Sequence, residues 1–388
     1  TQDSRLPVSN VCPHCDFFVP LKKENTDPDL TKRPKKVTCS NCKKQFRPGG
    51  PWHDEGELPT AKQASDRFDQ GKTFANKMWN ATRFALMKLE GYTPGPVSLA
   101  ELPTEDKWIL SRLATTANAV TAALDAYRFA DVARLIYDFT WSEFCDWYIE
   151  MSKGRMDDPS ARPLAQRVLV GVLDGILRLV HPVMPFVAES LWQALNEVAP
   201  VRGLPIPSAA EESVVIAKWP SYPAEWPSAD IETRFARMQD LVRGVREVRN
   251  RYQVEPKAKL DVSVKCAGEV ASDFRALAPF VGALAGVGNF AASPDAAKPK
   301  QAGVVLRPEF EAYVALAGLI DPVAEAKRLE KQIADAKKQL GGILGKLGNE
   351  SYVKNAPPEV VAESRAKAAE LETQAKVLEA NLAELRAG

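Results

Sequence analysis

The chain has 388 residues, 45% of them hydrophobic and 26% charged, with a formal net charge of +1. This is an ordinary globular composition with length enough for two or three cored domains, and it excludes disordered and fibrous classes. A charge this close to zero exerts no global pull on nucleic acid or anionic membrane, so any such binding must rest on local patches.

The sequence holds no run of 18 apolar residues and no signal-peptide pattern, which predicts a soluble, cytoplasmic protein without membrane contact. It begins at Thr1 and not at a methionine, as a fragment of a longer product would.

Residues 1–10 read as a lead-in. Residues 11–53 are rich in Lys, Pro and Cys and poor in large apolar side chains, so they cannot build a core unaided. They carry two knuckles, Cys12-Pro-His-Cys15 and Cys39-Ser-Asn-Cys42, separated by 23 residues. Each knuckle can offer two thiolates to one side of a tetrahedral ion, and four closed ligands make a structural Zn²⁺ site with no open position. A disulfide pair fits a cytosolic chain poorly, and a redox knuckle lacks its βαβ context. His14 is expected to be a bystander. From residue 12 to 47 there are nine Lys or Arg (Lys22, Lys23, Lys32, Arg33, Lys35, Lys36, Lys43, Lys44, Arg47) against four acids. These cations favour the thiolate state. They serve equally well to meet RNA phosphates or to keep a small metal domain soluble. Phe17, Phe18, Phe46 and Trp52 could stack on bases, but such aromatics more often form the mini-core around the metal, which is the expectation here.

Residues 60–256 have helical periodicity. Segments 62–91, 104–125, 127–155, 161–198 and 229–252 are separated by Pro- and Gly-rich breaks, which predicts a helix bundle. Phe74, Met78, Trp79, Ala81, Phe84 and Ala85 are the expected buried face of the first helix. Trp79, Trp141, Trp147 and Trp192 are expected in the core, where aromatics at helical spacing usually lie. His181-Pro182 before Met184-Pro185 marks a kink or cap. Cys145 and Cys266 stand alone in apolar surroundings and read as buried small hydrophobes.

Residues 257–316 change character. Lys259–Lys265 alternates like a strand, Ala302–Arg307 reads as another, and a short helix over Ser272–Leu284 lies between them. This predicts a small α+β element, with 291–301 as a loop. Residues 317–388 carry two heptad-like seams. The first runs through Val323, Ala326, Leu329 or Glu330, Ile333, Ala336 or Lys337, Leu340, Leu344 and Leu347. The second runs through Val361, Ala368, Leu371, Ala375, Leu378, Leu382 and Leu385. Two such helices joined by 345–358 make an antiparallel coiled-coil hairpin, each member about 39 Å long at ~1.5 Å per residue. The fold class expected is therefore mainly α.

Several stretches resemble one family in order along the chain. Thr1–Val8 is similar to its segment after the catalytic lysine signature, and Asp66–Phe84 to the helix that opens its bundle. Trp108–Leu113, Glu143-Phe-Cys-Asp-Trp-Tyr-Ile-Glu150, Leu179–Phe186, Glu189–Trp192, Ala217–Pro220 and Gly318–Pro322 follow. The wording resembles the class Ia aminoacyl-tRNA synthetases, most closely the valine–tRNA ligases and next the isoleucine and leucine enzymes. The ribbon departs from that pattern, since the family is usually short and metal-free there.

The resemblance implies a helical anticodon-binding domain, a tRNA-binding hairpin, and tRNA(Val) as partner of a monomer. ATP and Mg²⁺ would act in a catalytic domain that, with the editing domain, belongs to the same polypeptide but not to this stretch. The three histidines, His14, His53 and His181, are too far apart for the family's histidine signature, and Met151-Ser-Lys153 lacks the full lysine signature, so no catalytic residue is expected. RNA contact is expected from Arg243, Arg246, Arg249, Arg251, Lys257 and Lys259 around the last bundle helix. On the hairpin it is expected from Lys337, Lys338, Lys346 and Lys354. Two other readings stay open: the corresponding part of an isoleucine or leucine enzyme, and a free-standing non-catalytic RNA-binding adaptor.

Overall fold

The computed structural model describes residues 8–22, 29, 36–49, 58–320, 322–349 and 358–387. The chain divides into two compact units, Thr1–Pro227 and Ser228–Gly388.

The first unit opens with strands β1 (Ser9–Val11), β2 (Phe18–Pro20), β3 (Val37–Thr38), β4 (Gln45–Phe46) and β5 (Lys62–Ala64). β1 lies between β2 and β5, antiparallel to both, and β3 pairs with β4. Lys62–Ala64 is thus a strand closing the ribbon and not the first turn of a helix. The expected 11–53 segment reaches outward through pairs such as Ser9–Ala64.

The bundle follows with α1 (Asp66–Lys88), α2 (Thr104–Asp125), α3 (Phe129–Tyr137), α4 (Ile149–Asp157), α5 (Arg162–Val180) and α6 (Pro185–Val198). Phe74, Met78, Thr82, Ala85 and Leu89 form the buried face of α1 at helical spacing. Trp79 lies off that face and is 50% exposed, which corrects its expected place in the core, whereas Trp147 and Trp192 are buried. Between α3 and α4, residues 138–148 are underwound, with Ile149 N–H donating to the Phe144 carbonyl five residues back. Such π-helical stretches re-aim side chains. Here Glu143 takes a two-point grip from Arg112 at 2.8 Å, and the Tyr148 hydroxyl donates to buried Asp106 at 2.9 Å. The expected single segment 161–198 breaks at residues 181–184, where the paired prolines fall, and becomes α5 and α6.

Residues 199–227 cross the bundle as a long connection containing a short hairpin, β6 (Val201–Arg202) with β7 (Ser208–Ala209). Trp192 anchors it. The guanidinium groups of Arg178 and Arg202 lie over the ring, 4.9 and 4.2 Å from its centre, and its Nε1 donates to the Glu211 carbonyl at 2.9 Å. Asp174 accepts from both arginines, at 2.7 and 2.8 Å.

The second unit begins with α7 (Ala229–Arg251), whose buried face includes Leu241, Val245 and Val248. It packs on a four-stranded sheet in the order β10-β11-β8-β9, formed by β8 (Leu260–Cys266), β9 (Val287–Ser293), β10 (Ala302–Arg307) and β11 (Phe310–Ala315). Helix 229–251 therefore groups with the α+β element, although its periodicity reads as bundle. β8 and β9 run parallel, joined by α8 (Gly268–Ala276) and α9 (Ala278–Ala285). β9 extends into what reads as a loop from 291. The hairpin is α10 (Pro322–Leu347) against α11 (Pro358–Ala387). Leu329 and Ala336 are buried on one helix and Val361, Ala368, Leu371, Ala375 and Leu382 on the other, so the seam takes Leu329 over Glu330 and Ala336 over Lys337. Leu344 and Val323 are exposed. Residues 350–357, which hold Lys354, lie outside the described residues.

Glycines distinguish the two parts of this unit. A Cβ on Gly244 of α7 would sit 2.3 Å from Val305 Cγ1 of β10, and one on Gly303 of β10 would sit 2.5 Å from Val248 Cγ1. Helix and strand thus approach through reciprocal glycine contacts. A Cβ on Gly341 or Gly342 of α10 meets nothing within 4 Å. One substitution should therefore act with opposite signs. Gly244→Ala is expected to destabilise by about 1–3 kcal/mol through overpacking, despite the better helix propensity of alanine. Gly341→Ala is expected to stabilise by about 0.5–1 kcal/mol. Urea denaturation of each variant reads both values.

Candidate metal centre and nucleic-acid interface

The two knuckles fold alike because they carry the same backbone pattern. Cys12 N–H donates to Phe17 O and Asp16 N–H returns to Cys12 O, both at 2.9 Å. Cys39 N–H donates to Lys44 O and Lys43 N–H returns to Cys39 O, at 3.0 and 3.1 Å. The residue after each second cysteine, Asp16 or Lys43, has positive φ, at 57° and 63°. That left-handed step turns the chain back on itself.

The result brings four sulfurs together, all within 4.8 Å of one another. Cys12 and Cys42 Sγ are 3.7 Å apart, and Cys15 and Cys39 Sγ 3.6 Å. A tetrahedron of thiolates at the usual zinc–sulfur distance of ~2.3 Å has edges of about 3.8 Å, so the cluster has the size of a zinc site. Cys12 and Cys39 are buried with Val19, Phe46 and Ala61. Burial pushes the Cys12 thiol up to about 11, while the backbone at Phe17 lowers Cys15 to about 6. Asn41 Nδ2 donates to Cys15 Sγ at 3.7 Å. The His14 ring is turned away to the Gln45 carbonyl, with Nε2 at 3.1 Å, consistent with a bystander role.

Of the expected mini-core, Phe46 alone is buried among the described residues. Phe17 and Phe18 are exposed, which corrects that expectation, and Trp52 lies outside the described residues. Lys22, Lys36, Lys43 and Lys44 are exposed, while Lys23, Lys32, Arg33 and Lys35 lie outside the description. Cys145 and Cys266 are buried as expected, and burial pushes the Cys145 thiol up to about 12.

A second feature lies in the bundle. A cavity of about 510 Å³ is lined by Gln70 and Phe74 of α1, Ile136 and Tyr137 of α3, and Val183 and Met184 at the α5–α6 break. Tyr137 is 38% exposed, stacked on Trp141 at 5.4 Å and 15°, and tilted against Phe74 at 5.3 Å. Lys77 Nζ sits 4.8 Å from the Trp141 ring centre. Periodicity does not single out these residues. The available signal is the aromatic pair Tyr137 and Trp141 at i,i+4, which reads equally as core.

The expected RNA contacts separate. Arg249 spends its guanidinium on backbone carbonyls: Nη1 on Glu255 at 2.7 Å, and Nη2 on Ala258 at 2.9 Å and on Ala285 and Gly286 at 3.3 Å. Arg246 donates twice to Leu284 O, at 3.0 and 2.7 Å. Arg251 meets Asn381. Arg243 is half-exposed and ion-paired with Asp240 at 2.7 Å, and Lys337 bridges to Glu379 at 2.6 Å across the hairpin. Lys257, Lys259, Lys338 and Lys346 are exposed.

Comparison with known proteins assigns the architecture. Residues 106–264 match the anticodon-binding domain of tRNA ligase, and residues 321–386 match the valyl tRNA synthetase tRNA binding arm. Helices α2 to α7 and the hairpin thus fall within modules of a tRNA ligase. Valine–tRNA ligase of Rhodopirellula baltica is 35% identical over 391 residues, covering 100% of this chain and 37% of the relative. That of Thermotoga maritima is 44% identical over 300 residues, covering 77% of this chain and 32% of the relative. That of Nocardia farcinica is 38% identical over 323 residues, covering 81% and 34%. The chain belongs to the valine–tRNA ligase family, as a C-terminal portion, and spans about a third of the length of the curated relatives it matches. No described helix is long and apolar enough to cross a membrane.

The arginine geometry yields a paired test. Arg249→Ala removes a charged donor from four carbonyls, of which Glu255 O and Gly286 O keep the Ala258 and Leu260 N–H groups, and is expected to destabilise by about 1.5–3 kcal/mol in chemical denaturation. Arg243→Ala removes a surface pair and should stay within about 0.5 kcal/mol of wild type.

Proposed function

We propose that this chain is the tRNA-binding part of a valine–tRNA ligase, whose complete polypeptide activates valine with ATP and Mg²⁺ and transfers it to tRNA(Val). The observation that carries the reading is the aromatic cleft at Tyr137. Its Tyr137 and Phe74 rings and its Gln70 amide suit an unstacked base, because aromatic rings hold any base and amides pair with base edges. An anticodon loop supplies such bases. The exposed Lys257, Lys259, Lys338 and Lys346, with Arg243, give phosphate contacts without base selectivity. Catalytic and editing domains of the same polypeptide, a monomeric state and a cytoplasmic location complete the proposal.

The four cysteines hold a structural Zn²⁺ in this reading. The ion replaces the core that so few apolar residues cannot provide, and its closed ligand set leaves it no role in chemistry. Elemental analysis of the purified chain is expected to give about one zinc per molecule. Chelation or Cys39→Ser should remove it and erase hydrogen-exchange protection across β1–β4 while the bundle keeps its protection. Zinc below a tenth of an equivalent in protein purified without chelator would reject the site.

Binding to valine tRNA, read by fluorescence anisotropy across a salt titration, tests the RNA assignment. Valine tRNA should bind more tightly than isoleucine tRNA or a valine tRNA with an altered anticodon. Tyr137→Ala should weaken binding by about 1–2 kcal/mol, as loss of one base–aromatic stack does, and Tyr137→Phe should not. Equal, steeply salt-dependent binding of all three RNAs would reduce the chain to a generic polyanion binder.

A further inference from the structure

Helix α7 ends at Arg251, and the last carbonyls of a helix have no partner within it. The Arg251 carbonyl accepts a hydrogen bond from Arg328 Nη2 of α10, at 2.8 Å. Arg328 is aimed by a fork onto Glu325, Nε to Oε2 at 2.7 Å and Nη2 to Oε1 at 2.5 Å. Glu325 is only 7% exposed. The other end of Arg251 reaches the second arm helix. Its Nη1 lies 3.5 Å from Asn381 Oδ1, at the long limit of a hydrogen bond, and Asn381 is 8% exposed. Both arm helices therefore meet Arg251, one at its carbonyl and the other at its guanidinium.

Glu325 and Asn381 are buried polar groups in a hairpin whose buried seam is otherwise Leu, Val and Ala, and Arg251 and Arg328 are partly buried beside them. An apolar contact at this root would resist separation but permit rotation and sliding, because the hydrophobic effect has no direction. Charge-assisted forks and a capped carbonyl have strict geometry. A lone polar residue inside a coiled-coil seam likewise selects one arrangement at some expense of stability. We propose that Arg251, Glu325, Arg328 and Asn381 form a polar joint that sets the angle of the arm on its α/β base, and that Arg251 is a positioning residue and not an RNA contact. The joint stands on its own geometry; its consequence for RNA rests on the tRNA-binding reading above.

The test measures orientation directly. Spin labels are placed at exposed positions 272 of α8 and 338 of α10 through a keto-bearing non-canonical residue, which leaves the native cysteines untouched. Pulsed electron resonance on the full chain then gives the distance distribution. Wild type should give one narrow peak. Glu325→Gln/Arg328→Met, which breaks the joint without stranding a buried charge, should broaden that peak about twofold or more as further arm angles become populated. Circular dichroism should show unchanged helix content. Asn381→Ala serves as the second variant and should broaden it less. Coincident distributions in wild type and both variants would overturn the joint.

In the same variants, affinity for an in vitro transcribed valine tRNA should fall about tenfold, the loss expected when a preorganised surface becomes mobile. Broadening with undiminished affinity would overturn the positioning role. A wild type that binds no tRNA but shows the narrow peak and its broadening would overturn the RNA reading and leave the joint standing.

Discussion

Every helix ends in carbonyl groups that its own backbone cannot satisfy, and much of this architecture consists of distant side chains brought to meet them. Gln166 of α5 donates to Lys88 O and Glu90 O at the end of α1, at 2.8 and 3.0 Å. Arg162 reaches Met156 O near the end of α4 at 2.7 Å, and Arg202 reaches Ala199 O just past α6 at 2.8 Å. Arg246 and Arg249 close α9, and Arg328 closes α7. A guanidinium suits this work because it carries several donors in a rigid plane and a charge that complements the negative end of the helix dipole. Several of these contacts also fasten elements far apart in sequence, as Gln166 does for α1 and Arg328 for α7.

This constraint changes how the basic residues are understood. An arginine-rich stretch on an amphipathic helix looks like a phosphate-binding face, and a stretch from Arg243 to Arg251 has that appearance. In the folded unit its members divide by what surrounds them. Arg249 is taken up by four carbonyls, Arg246 by one, and Arg251 by the arm. Lysines suffer this fate less here. Lys257, Lys259, Lys338 and Lys346 are exposed, as suits a flexible stem that ends in a strongly hydrated charge.

The ribbon and the bundle solve the problem of stability in different ways. The bundle buries Trp192, Tyr148, Phe139, Phe144 and a run of aliphatic residues along α5, and so has a core of its own. The ribbon buries Val19, Phe46, Ala61 and two of its cysteines, too little apolar surface to offset chain entropy. Its two knuckles repeat one hydrogen-bond pattern and converge their sulfurs to the spacing of a tetrahedral ion. The underwound 138–148 stretch holds Trp141 against Tyr137, which also meets Phe74 and lines the open cleft.

Local patterns determined the elements of this protein. Cysteine spacing located the ribbon, helical periodicity located α1 to α7, and heptads located the hairpin down to Ala368, Leu371 and Leu382 in its seam. These were legible because ligand spacing and apolar period are properties of a few neighbouring residues. What lay beyond reach depends on partners distant in sequence. The strand at 62–64 exists because β1 pairs with it, and β9 because β8 runs beside it. α7 joins the sheet because Gly244 and Gly303 admit close approach there, which periodicity cannot announce. Trp79 and Trp192 look alike in the sequence, yet one faces solvent and the other is buried with two arginines over its ring. Burial and hydrogen-bond satisfaction are sums over the whole fold, so only the tertiary structure decided which aromatics are core and which arginines are taken up by backbone carbonyls.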